Sequence, residues 1–66
     1  MNQQDAEKYF RYQHLPTYLQ EVSQPFFVLA MQLLNLPNNR ERDKALDRLL
    51  EAKDAAVRAA IRSEKR

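Results

Sequence analysis

The chain contains no glycine, and no other property narrows its folding options as much. Glycine supplies the positive φ that hairpin turns of types I′ and II′ require, so a glycine-free chain has few low-strain ways to join antiparallel strands. Helices separated by Pro and Asn are the natural alternative, and the sequence predicts an all-α fold. At 66 residues the chain holds one domain, and domains of this size bury only about 60% of the surface their unfolded chains expose. Some further source of stability is expected. There is no Cys to form disulfides, and one His without Cys cannot build a structural zinc site. Well-packed helices or assembly into an oligomer remain.

No run approaches the roughly 18 apolar residues of a membrane span, and Met1 to Lys8 is polar, unlike a signal peptide. The absence of Cys fits a reducing compartment. Together these features predict a soluble cytoplasmic protein with no membrane partner. Eleven Lys and Arg against nine Asp and Glu give a net charge of +2. That is a mixed surface rather than the concentrated basic stripe that duplex nucleic acid demands, but it remains compatible with a small anionic ligand.

The clearest helix signal covers residues 38–63. Asn38 is placed to cap it, with Glu41 reaching back as in a capping box and Pro37 just outside. Leu46, Leu49, Leu50, Ala52, Ala56, Val57, Ala60 and Ile61 recur at spacings of three and four, so one broad face is apolar. Asp54 and Arg58 stand four apart, and Glu41 and Lys44 three apart, as helical ion pairs do.

A second helix is expected over residues 17–35. Thr17 with Gln20 resembles another capping box. Leu19, Val22, Phe26, Val28 or Leu29, and Leu33 keep helical phase across Pro25, which favours one helix kinked there. The rival is a new helix starting at Ser23, with Pro25 in its first turn. Phe26, Phe27, Met31 and Leu34 place apolar groups on more than one face. A two-helix hairpin covers only one, and the surplus argues for burial against other subunits.

Residues 1–15 form a separate segment, read either as a short helix from Asn2 to about Tyr9 that then runs extended into Pro16, because the residue before proline avoids the helical region, or as an extended segment throughout. Tyr9, Phe10 and Tyr12 are interleaved there with Lys8, Arg11 and His14. Aromatic rings stack on nucleobases and basic groups hold phosphates, so this is where binding chemistry gathers. The plainer reading has Phe10, with or without Tyr9, cap the core, leaves Lys8 and Arg11 solvated and makes His14 a turn residue. Arg58 and Arg62 repeat at spacing four near the end of the long helix. They read as a solvated edge, or as cations that an oligomer brings together around an anion.

Catalysis is not expected. A nucleophile needs an activating base, His14 is the single histidine, and the aliphatic hydroxyls are Thr17, Ser23 and Ser63. Without glycine there is no phosphate-cradling loop of the P-loop or dinucleotide type. No metal or cofactor is expected.

Phe10-Arg11-Tyr12-Gln13-His14-Leu15-Pro16, then Ser23-Gln24-Pro25-Phe26, then Pro37, Glu41-Arg42 and the block from Leu49 to Ile61 resemble the small phage anti-CBASS sponge proteins. The resemblance covers about Tyr9 to Arg62. The two longer helices are expected to lie antiparallel, and the resemblance implies that such short helical protomers assemble into a compact homohexamer. It further implies non-catalytic sequestration of cyclic oligonucleotide second messengers in the bacterial host cytoplasm, by which a phage escapes CBASS defence. Tyr12 matches the family tyrosine that meets a cyclic dinucleotide, with Phe10, Arg11 and His14 beside it. Arg62, with Arg58 one turn earlier, lies near the family's late arginine at a separate cyclic trinucleotide site. Relatives carry a phosphate-binding Lys in the first long helix. This chain has no Lys between Lys8 and Lys44, and Gln24 stands in that place. Without the resemblance, the chain also reads as a small regulator binding nucleic acid or a host protein, or as a structural oligomer.

Overall fold

A computed structural model describes residues 1–64. Among them are α1 (Gln3–Phe10), α2 (Thr17–Leu33) and α3 (Arg40–Glu64), and no strand. None of the described residues has positive φ, so every turn is built from conformations open to ordinary L-residues.

Asn2 caps α1, its Oδ1 accepting from the Asp5 N–H at 2.8 Å. The helix runs one residue beyond the expected Tyr9 because Phe10 is drawn into the core. The chain leaves α1 at Arg11, φ −57° and ψ 139°. It then turns instead of continuing extended to Pro16, with the Leu15 N–H bonded to the Tyr12 carbonyl at 3.1 Å. Gln20 stabilises this turn: its Nε2 donates to the carbonyls of Gln13 (3.3 Å) and Leu15 (2.8 Å). The expected Thr17–Gln20 capping box is therefore absent. Pro16 occupies the cap position, with extended backbone and no side-chain cap bond, and Thr17 is the first helical residue.

α2 passes through Pro25 without a break, in agreement with the continuous helical phase. It ends without glycine by tightening. The N–H groups of Asn35 and Leu36 bond to the carbonyls of Gln32 (3.1 Å) and Leu33 (3.0 Å), three residues back. Arg42 then reaches across from α3, Nη1 donating to the carbonyls of Leu34 (3.1 Å) and Leu36 (3.2 Å). This contact shifts the cap of α3 by one residue from the expected Asn38. Asn39 Oδ1 accepts from the Arg42 N–H at 2.9 Å, and Glu41 is left on the surface, 3.7 Å from Lys44.

Two contacts orient α1. The Met1 amino group meets Asp43 at 2.9 Å near the start of α3, and Lys53 Nζ donates to the Tyr9 carbonyl at 2.7 Å further along it. α1 thus runs beside α3 in the same direction, while α2 returns against both. Ala6 and Phe10 of α1, Ala30 of α2 and Leu46 of α3 form the buried cluster. The alanines allow close approach, and the Phe10 ring fills the space between the helices.

Phe26, Phe27, Met31 and Leu34 pack against that cluster. They are not the expected surplus, because α1 covers a second face of α2. The exposed apolar groups are instead Val28, Leu29 and Leu36, with Tyr9 and Tyr18. α3, with 25 residues, is about 37 Å long at 1.5 Å per residue and accounts for most of the 42 Å long axis. The 17 residues of α2 reach only about 25 Å, so the last turns of α3 outrun it. Among the described residues no helix is long and apolar enough to cross a membrane.

Candidate binding groove

The turn after α1 lies against the middle of α3 and leaves an open groove of about 270 Å³, lined by Arg11, His14, Leu15, Lys53, Asp54, Val57 and Arg58. Helical spacing explains the α3 side. Lys53 and Val57 are four apart, as are Asp54 and Arg58, so the two pairs form adjacent rows on one surface. Leu15 and Val57 supply apolar contact, and Arg11, Lys53 and Arg58 face a single carboxylate, that of Asp54.

Lys53 is the most constrained of these groups. Its side chain is only 12% exposed, its Nζ donates to the Tyr9 carbonyl, and it lies 5.9 Å from the centroid of the Phe10 ring. That carbonyl belongs to the last turn of α1, where helical carbonyls lack intrahelical partners and a cation is favoured. One lysine thus closes the end of α1, covers the aromatic core and fixes positive charge at the groove. The Lys53 ammonium is also 3.6 Å from Asp54 Oδ1, too long for a good hydrogen bond. The Asp54 side chain is half exposed, and its oxygens keep their accepting capacity.

The residues singled out in the sequence are distributed unevenly. Arg11 and His14 line the groove together with Arg58, so groups assigned by resemblance to two different ligand sites meet at one. Phe10 is fully buried and presents no face for stacking. Tyr12 is half-buried next to the groove-lining residues in sequence. Its ring meets that of Phe27 edge to face, with centroids 5.5 Å apart. Gln24 is exposed on α2 and Arg62 is exposed one turn beyond Arg58, and neither lines the groove.

Sequence reading missed Lys53, to which it gave no role of its own. A signal was present: Lys53 continues the spacing of Leu46, Leu49 and Leu50 towards Val57, and a cation inside an apolar stripe has to find a partner. The groove lining offers no hydroxyl or thiol. Among the described residues no three His, Asp or Glu side chains are grouped to hold a metal. What the arrangement offers is positive charge from Arg11, Lys53 and Arg58 beside apolar surface, suited to a phosphate ester joined to a flat ring.

No family model, curated protein or solved structure matches the chain.

Proposed function

We propose that this protein sequesters cyclic oligonucleotide second messengers without chemical change, as a phage protein that removes the signal of bacterial CBASS defence in the host cytoplasm. The observation that carries this reading is the convergence of Arg11, His14, Lys53 and Arg58 on one groove. Arginine forks suit phosphate oxygens, and hydrogen bonds between ionised partners are roughly twice as strong as neutral ones. Leu15 and Val57 supply apolar surface for a base, and the half-buried Tyr12 adjoins Arg11 in sequence.

A groove of about 270 Å³ takes one nucleotide of a cyclic ligand and leaves the remainder outside. A second protomer related by two-fold symmetry would offer the same groups to the other half of a cyclic dinucleotide. The exposed Val28, Leu29 and Leu36 and the overhanging end of α3 are surface that such assembly would bury. The hexamer, and the parts of Gln24 at a phosphate and Arg62 at a trinucleotide, rest on the family resemblance. Phe10 then supports the groove from beneath instead of stacking on a base.

The test combines thermal-shift screening against cyclic di- and trinucleotides with light scattering. Tight binding raises the melting temperature by mass action, and the scattering mass should be a multiple of the protomer's. A panel in which no cyclic nucleotide shifts the melting temperature defeats the proposal. Salt-sensitive binding to linear DNA or RNA in its place would favour a nucleic-acid regulator.

A further inference from the structure

We infer that Asp54 makes the groove selective for guanine, an inference that rests on the nucleotide-binding reading above. A carboxylate in an anion-binding groove repels phosphate, so for a purely anionic ligand Asp54 only weakens binding. Its engagement in the fold is a long ion pair with Lys53, which leaves its oxygens without a close hydrogen bond. Its near neighbour Lys53 gives a close hydrogen bond to the Tyr9 carbonyl at 2.7 Å and stands 3.6 Å from Asp54 Oδ1. The Asp54 side chain is 52% exposed, beside Val57 and Arg58 in the lining. A half-exposed acceptor pair among cations suits a ligand that presents donors as well as negative charge.

Nucleobases differ in this respect. On its Watson–Crick edge guanine carries two adjacent N–H donors, N1–H and the N2 amino group, which match the two oxygens of one carboxylate. Adenine and cytosine each pair one amino donor with a ring-nitrogen acceptor, whose lone pair opposes a carboxylate. Uracil has one N–H between two carbonyls. Only guanine meets Asp54 with two donors and no opposing lone pair. Arg58 lies one helical turn from Asp54, and Arg11 of the turn lines the same groove. A guanine on Asp54 therefore leaves arginine forks free for the phosphates, with Leu15 and Val57 against the ring.

The experiment compares cyclic di-GMP with cyclic di-AMP on the full chain and on Asp54→Asn and Asp54→Ala, by calorimetry, with circular dichroism to confirm the fold. A good bidentate pair gives about tenfold to hundredfold discrimination, so the unaltered chain should prefer the guanine ligand by that factor. Asp54→Ala should abolish the preference, chiefly by weakening the guanine ligand while the adenine ligand binds as well or better. Asp54→Asn, which can both donate and accept, should shift the preference towards adenine. Equal affinities in the unaltered chain, or a guanine preference that survives Asp54→Ala, overturns the inference while leaving nucleotide binding in place. Failure of both ligands and of cyclic trinucleotides to bind overturns the nucleotide reading and this inference with it.

Discussion

Replacing Phe10 by Ala separates a core residue from a ligand contact. The ring is completely buried, and among the described residues only Ala6, Leu19, Ala30 and Leu46 join it as buried hydrophobics. A buried aromatic side chain removes roughly 150 to 250 Å² from water, which at about 25 cal/mol per Å² is roughly 4 to 6 kcal/mol. Measured Phe→Ala costs in cores are about 3 to 5 kcal/mol. A chain of 66 residues at about 0.05 to 0.15 kcal/mol per residue has roughly 3 to 10 kcal/mol to lose. Phe10→Ala should therefore be largely unfolded, or melt tens of degrees lower, when followed by far-ultraviolet circular dichroism at several protein concentrations. Phe10→Leu, which refills much of the space, should remain folded and retain ligand affinity within a few-fold. A Phe10→Ala chain that melts like the parent but no longer binds nucleotide would refute the packing argument and make the ring a stacking platform.

Three other perturbations follow from individual contacts. Ser23 is fully buried and its Oγ has no hydrogen-bond partner, so Ser23→Ala should stabilise by about 1 kcal/mol and raise Tm by roughly 4 to 8 °C. An unchanged or lower Tm would show that the hydroxyl is satisfied. Lys53→Met keeps the stem over Phe10 but loses the bond to the Tyr9 carbonyl. It should cost roughly 1 to 2 kcal/mol in denaturant titration and weaken nucleotide binding, and retention of both properties would count against a fixed ammonium at the groove. The Asp43 carboxyl is held below the usual carboxylate range by its hydrogen bond from the Met1 amino group. Partial burial opposes this, and the attraction of that amino group and of Arg42 adds to it. A depressed folded-state value means that this stabilisation is present above the ordinary value of about 3.9 and is lost as pH falls through the folded value. Urea midpoints between pH 7 and pH 3 should fall more steeply for the parent than for Asp43→Asn, and identical slopes would contradict the pairing.

The helices were legible because their signals are local. Glycine absence anticipated the lack of positive φ among the described residues, and the phase held across Pro25 anticipated the uninterrupted α2. The cap of α3 was not legible to the residue, since Asn38 and Asn39 both suit the position. The choice is made by the Arg42 bonds to carbonyls at the end of α2, a tertiary contact with no local trace. The same limit applied to α1. Ala6 and Phe10 are one turn apart, but whether that short row faces the core or a ligand depends on α1 lying along α3. Arg11, His14 and Arg58 were each picked out by residue type. Their meeting at one groove depends on the return of α2 between the turn and α3, which brings together residues more than 40 positions apart.

The most direct test of the central claim is a calorimetric titration of cyclic dinucleotides into the parent chain and Arg58→Ala, followed by chromatographic recovery of the ligand. Binding to the parent is expected, with affinity reduced about tenfold or more in the folded Arg58→Ala chain, as for loss of a charged hydrogen bond, and ligand recovered intact. Undiminished affinity in Arg58→Ala would remove the groove from the account, and recovery of a cleaved ligand would contradict sequestration.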